Sequence, residues 1–409
     1  MSVIKPFLAF RPKPENAAKL ACVPYDVPYE SEVRETIAAN PMSFLRVTRP
    51  EAEFPEGSNP TEQETLAKSI GNLEMFIRDG YLVHDDEPAI YIYRLSVGTH
   101  TQTGIVAGCS IDEYDNDLIK KHEKTRPDKV KDRTDHMIAL RAQTGLIFLA
   151  FRGTDETRRL IAEETAKPPF FEIASDTGGV SQTVWRITDT AAIEKAFSDV
   201  PALYVADGHH RAESASLARK LLSKANADHT GAESYNYVMA GVFPAEDLKI
   251  MPYNRAVKDL NGHSKDEFLA LLQNTFVINK TAEKTPMQHG SVCMYLDGEW
   301  YSLRYNVENI REPDPIERLD VSILQQNVLA PILGIDDPRT NNRVTFVGGI
   351  RGTDELERLV DSGDYAVAFS MFPTSMDDLF AVSDMGEIMP PKSTWFEPKL
   401  KDGLFVHRI

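Results

Sequence analysis

The run Tyr204-Val205-Ala206-Asp207-Gly208-His209-His210-Arg211 constrains this chain more than any other stretch. Leu203, Tyr204, Val205 and Ala206 form an apolar run of strand length, and Asp207-Gly208 is turn chemistry. Beyond Arg211 the residues Ala215, Leu217, Ala218, Leu221 and Leu222 recur at helical spacing. A short buried strand is therefore expected to hand over to a helix within about two residues. The polar cluster then sits where the helix presents its first N–H groups and the positive end of its dipole, a ready site for an anion. Gly208 lets the backbone approach that anion closely. Arg211 can clamp oxygens bidentately, while His209 and His210 can donate, accept or bind metal, a set suited to phosphoryl chemistry. The plain alternative is a helix cap beside a basic surface residue.

Composition narrows the classes. The chain has 409 residues, 42% of them hydrophobic and 26% charged, enough to bury one large core or several ordinary ones. Its net charge of −17 argues against broad binding to nucleic acid or anionic membranes. Cys22, Cys109 and Cys293 are far apart and odd in number, which points to buried reduced thiols and a cytoplasmic location. The N-terminus carries no long apolar run, and no stretch approaches membrane-spanning length.

Strands and helices alternate without a strict βαβ rhythm, so the expected class is α+β, that is, mixed α/β. Periodicity predicts helices near 31–40, 61–80, 155–167, 188–197, 264–275, 321–333, 354–362 and 376–385. Strands are predicted near 89–95, 102–110, 146–151, 184–187, 234–243, 344–347 and 365–372. A hairpin is expected around Asp297-Gly298, and 252–259 reads as a polar turn. A working division places a core with an N-terminal extension in 1–260 and a second α+β region in 261–409.

Four further constellations could carry chemistry. The stretch 119–133 packs His122, Glu123, Lys124, Arg126, Asp128, Lys129, Asp132 and Arg133 together, with Pro127 expected to break any helix there. His122 and Glu123 form a candidate general base among cations, against the plainer reading of a solvated, ion-paired helix. In 389–399, Lys392, Ser393 and Thr394 could hold phosphate oxygens while Trp395 or Phe396 stacks on a base; equally, the aromatics could pin the tail. Tyr25 and Asp26 stand in a Pro-rich turn, followed by Arg46 in Phe44-Leu-Arg-Val47, as candidate substrate contacts; Asp26 could also be a metal ligand, with a plain Asx-turn as the default. Arg255 follows the turn-like Pro252-Tyr-Asn254 as a further candidate substrate contact, against a surface salt bridge as the default. No phosphate-binding GxxxxGK[ST], HExxH or GxSxG motif is present.

Val23-Pro-Tyr-Asp-Val27, Asn40-Pro41 with Phe44-Leu-Arg-Val47, His122-Glu-Lys-Thr125, Ala206-Asp-Gly-His-His-Arg211, Met251-Pro-Tyr-Asn-Arg255 and Pro390-Pro-Lys-Ser-Thr-Trp-Phe396 occur in that order. The succession resembles a prokaryotic family known as a domain of unknown function, number ten-fifteen, from about residue 4 to the C-terminus. The Gly-His-His-Arg core is also similar to the Gly-x-x-Arg phosphate motif of the ParB/sulfiredoxin superfamily, which includes archaeal free-serine kinases. His209 stands where sulfiredoxin has its Cys, which speaks against sulfinic-acid reduction.

That resemblance implies a ParB/sulfiredoxin-like nucleotide-binding core embedded in a larger mixed-sheet protein. It implies a nucleotide-dependent phosphotransferase acting on a small hydroxylated metabolite, with serine or phosphoserine as candidates and ATP or ADP with Mg²⁺ as cofactors. Gly208, His209, His210 and Arg211 would cradle the phosphates, with Asp207 in the catalytic group. Lys120, Lys124 and Arg126 would neutralise developing charge. Glu123 would take the proton of the substrate hydroxyl, assisted by His122. A homodimer is compatible with this reading, and no side-chain metal ligands are assigned. The rivals are a nucleotide-binding switch with slow hydrolysis and, third, a metal-dependent hydrolase using His122, Asp207, His209 and His210.

Overall fold

A computed structural model describes residues 2–176, 178–305 and 314–409, and within it the chain forms two units. The first comprises Met1–Lys121, Thr125–Leu248 and Pro398–Ile409; the second comprises His122–Lys124 and Lys249–Glu397. A single cut at residue 260 describes neither the excursion at 122–124 nor the return at 398.

The first unit is built on a nine-stranded mixed sheet. Leu203–Asp207 lies between Ile119–Lys120, to which it is parallel, and Ile147–Phe151, to which it is antiparallel. The sheet continues through Tyr237–Pro244, His100–Ser110, Ile90–Val97, Val180–Ile187 and Phe171–Ile173, with Ile4–Lys5 added on His100–Ser110. Ile147-Phe-Leu-Ala-Phe151 is buried along its whole length, as a strand covered on both faces must be. Helix His209–Ala225 buries Ala212, Ala215 and Ala218 against this core. Small side chains there let the helix sit close to the sheet.

A smaller sheet in the same unit joins Leu82–His84, Ala9–Pro12, Val406–Arg408 and Ala142–Gln143 in that order. Beneath it Leu20, Val33, Phe44, Leu73, Phe76 and Val406 share a second core. Helix Glu62–Arg78 presents Leu73 and Phe76 to that core and starts with a capping box between Thr61 and Glu64. Pro127 does not break a helix as expected but opens one, Pro127–Leu140, at its first position. The ring presets φ there, and its missing N–H would have had no intrahelical partner.

The second unit carries a six-stranded, wholly antiparallel sheet: Phe276–Lys280, Glu299–Tyr305, Ser291–Leu296, Val367–Met371, Tyr253–Val257 and Val344–Gly348. Helix Asp354–Asp361 covers it with Leu356, Leu359 and Val360. The polar turn expected over 252–259 is instead an interior strand. Asn254 and Arg255 made it look polar, yet both are buried and bonded: the Asn254 side-chain Oδ1 accepts the Met371 N–H at 3.0 Å. The helix expected over 321–333 is shorter, Asp320–Leu324, and passes into a π-helical turn at Gln325–Leu329. The hairpin at Asp297-Gly298 is present, both residues having positive φ. The expected mixed α/β class holds. Among the described residues no helix is long and apolar enough to cross a membrane.

Candidate functional site

In the first unit, the register of strand Leu203–Asp207 slips between Val205 and Asp207, and the chain then turns at Gly208. Gly208 has φ 91° and caps helix His209–Ala225, which has no side-chain cap. Such a backbone angle favours glycine. A Cβ at Gly208 would lie 3.1 Å from Arg211 Nε and 3.2 Å from its Nη2, so the guanidinium is folded under the turn. Arg211 is only 8% exposed. Its Nη1 donates to the Leu146 carbonyl, and its buried Nε has no hydrogen-bond partner.

Asp207 is shared. One oxygen accepts the Gly208 N–H at 3.0 Å, and the other meets Lys399 Nζ at 3.0 Å, with Arg211 Nη2 at 3.9 Å. His209 is buried. His210 Nε2 accepts the Arg126 backbone N–H at 3.0 Å. The Arg126 side chain turns to Asp128, 2.8 Å away.

Beside Arg211 lies a cavity of about 30 Å³ whose lining includes Tyr25, Thr48, Arg133, Gly145, Arg211 and Asp402. Its volume suits ordered water rather than a metabolite. Thr48 Oγ1 and Asp402 Oδ1 are buried without hydrogen-bond partners, as is Arg211 Nε. Burial pushes the Asp402 carboxyl up to about 7, with the nearby Asp26 charge adding and Arg211 opposing. Burial pulls Arg211 down, but Asp26, Asp207 and Asp402 hold it above its ordinary value. Tyr25 lies under the Arg133 guanidinium, 4.3 Å from ring centroid to carbon, and burial raises its phenol. Tyr25 and Asp26 thus share the electrostatic surroundings of Arg211. Arg46 does not line this cavity: it pairs with Glu53 at 2.8 Å and donates to the Pro41 carbonyl.

The second unit gathers His122 and the 390–396 motif. His122 Nε2 lies 3.3 Å from Thr394 Oγ1, and the His122 carbonyl accepts the Met389 N–H at 2.9 Å. Ser393 is buried and donates to the Pro390 carbonyl at 2.6 Å. Lys392 adopts φ 57°, and Arg255 braces that turn by donating to the Lys392 carbonyl at 3.0 Å. Arg255 is therefore a buried brace rather than a surface ion pair, and burial lowers it to about 10. Trp395 packs edge-on against Tyr253 at 5.3 Å, and Phe396 is fully buried, so these aromatics pin the segment. Glu123 is half-buried and Lys124 exposed in this same unit.

Among the described residues no three His, Cys, Asp or Glu side chains are arranged to hold a metal. The three cysteines are free and buried, as expected. The residues that sequence reasoning missed are Lys399 and Asp402. Nothing in their local pattern separates 398–409 from the Pro390–Phe396 motif before it.

Comparison with solved structures finds distant likenesses. A free serine kinase in complex with AMP is 11% identical with a TM-score of 0.35, covering 74% of this chain and 89% of that one. SbnI with a C-terminal truncation, from Staphylococcus aureus, is 14% identical with a TM-score of 0.39, covering 73% and 85%. A conserved hypothetical protein from Pyrococcus furiosus is 12% identical with a TM-score of 0.35, covering 74% and 95%. At such scores a likeness says nothing of function. No curated protein matches the chain. A family model does match over residues 4–322, and the chain accordingly belongs to DUF1015, described as a protein of unknown function.

Proposed function

We propose that the protein is a nucleotide-dependent phosphotransferase that uses ATP or ADP and acts on a small hydroxylated metabolite. The observation that carries this reading is the Gly208 turn: a left-handed glycine opens a 17-residue helix that has no side-chain cap, with a buried guanidinium folded beneath it. The unpartnered Arg211 Nε, and a guanidinium so close to Gly208 that a Cβ there would lie 3.1 Å from it, support a phosphate cradle at this turn. Phosphoryl transfer asks mainly for positioning and charge neutralisation, which a helix N-terminus with cations supplies. Mg²⁺ would come with the nucleotide, whose phosphates supply its ligands. Glu123 is the proposed base, on its residue type and its place in His122-Glu-Lys-Thr125. The family resemblance makes serine and phosphoserine the first acceptors to try.

The test is ADP release from ATP and Mg²⁺ with and without a panel of hydroxylated metabolites, serine first, and the reverse reaction from phosphoserine and ADP. Turnover that depends on an acceptor, lost in Glu123→Gln while ADP binding stays, is the expected result. Slow hydrolysis indifferent to every acceptor would replace the phosphotransferase by a nucleotide switch.

A further inference from the structure

We propose that Lys399 is the residue that makes the Gly208 turn receptive to phosphate, by neutralising Asp207 and presenting its ammonium to the bound anion. The inference rests on the nucleotide reading above and names a binding residue that reading does not contain.

The turn has an electrostatic defect. Asp207 immediately precedes the glycine, and its carboxylate accepts the Gly208 N–H, which holds the turn but places negative charge beside the cradle. A phosphate arriving there meets a like charge within a few ångströms, which costs binding. Arg211 does not cancel it alone. Its guanidinium is 3.9 Å from Asp207 and also stands in the fields of Asp26 and Asp402. Lys399 is closer, 3.0 Å from the second Asp207 oxygen, with its side chain only 13% exposed. An ammonium has three donors, so it can hold a carboxylate and a phosphate oxygen together.

The ammonium is also held in place. The Pro398 carbonyl accepts the Gln102 amide at 3.3 Å, and Leu400 is buried against Gly241. Lys401 is drawn to Asp176 at 2.6 Å. Lys399 therefore reaches Asp207 from a fixed backbone, and Lys401, two residues on, is its natural control.

The experiment is a calorimetric titration of ADP with Mg²⁺ into the full-length protein and its variants, with melting curves to check folding. In Lys399→Met the ADP dissociation constant is expected to rise about tenfold or more, the scale of a lost charge-assisted contact. Lys399→Arg should retain most of the affinity, and Lys401→Met all of it. Asp207→Asn combined with Lys399→Met should bind better than Lys399→Met alone, because the uncompensated carboxylate is gone. Both variants are compared at a temperature where the melting curves show them fully folded, so that a recovery in affinity is not a recovery of the fold. Wild-type affinity in Lys399→Met, or no recovery in the double variant, overturns the proposal. If wild type itself binds no ADP, the nucleotide reading fails and this inference fails with it.

Discussion

Arg211 meets two demands at once. Its Nη1 holds the Leu146 carbonyl, and its charge balances Asp26, Asp207 and Asp402 in a nearly closed environment. Arg211→Ala should therefore lower the unfolding free energy by about 3 kcal/mol, measured by urea denaturation, because buried acceptors and carboxylates lose their partner. Loss of nucleotide binding in that variant would not by itself prove a phosphate clamp. Gly208→Ala is the gentler probe. A methyl at φ 91° costs about 1–2 kcal/mol and presses on the guanidinium 3.1 Å away, so the fold should survive while ADP affinity drops. Asp402 gives a pH signature. Its folded value near 7 lies above the ordinary 3.8, so its contribution is fully present below about pH 4 and is lost as pH rises through 7. Wild type should lose more stability between pH 5 and pH 8 than Asp402→Asn; equal losses would remove Asp402 as the titrating group. The Gly208 turn was legible in the sequence because its strand, turn and helix signals are contiguous. Lys399 was not, because it meets Asp207 across 192 residues and no short-range pattern records that pairing.

At the scale of elements, strongly periodic segments were legible and strands with buried polar groups were not. Helix Glu62–Arg78 follows its apolar spacing closely, and the hairpin around Asp297-Gly298 follows its turn residues. Strand Tyr253–Val257 was hidden because Asn254 and Arg255, on opposite faces, are both buried and satisfied by backbone carbonyls and an amide N–H, a tertiary choice that alternation cannot reveal. Pro127 misled because proline stops a helix from inside but starts one at its first position. The segment Pro398–Ile409 has a marked consequence for stability. Val406–Arg408 pairs with both Ala9–Pro12 and Ala142–Gln143, and Leu400, Leu404 and Phe405 are buried. Truncation after Glu397 should therefore leave the first unit unable to fold, read as loss of its cooperative melting transition. A normal transition would show that the segment is dispensable.

For the whole molecule, the order of motifs along the chain does not match their grouping in space. Asp207–Arg211, Arg126, Tyr25, Asp26 and Arg46 belong to the first unit, whereas His122–Lys124, Arg255 and Lys392–Thr394 belong to the second. Sequence proximity of His122 to Arg126 hid this division, since the chain changes units twice between Lys121 and Thr125. The body is acidic, with a net charge of −17. An anion site on such a protein must be built from placed cations and a helix N-terminus rather than from overall charge. The most direct test of that claim is calorimetric titration of ATP, ADP and CTP, each with Mg²⁺, into wild type and folded Gly208→Ala. Saturable binding of at least one nucleotide by wild type, weakened in Gly208→Ala, is the predicted result. Heat of dilution alone for all three nucleotides would contradict the account.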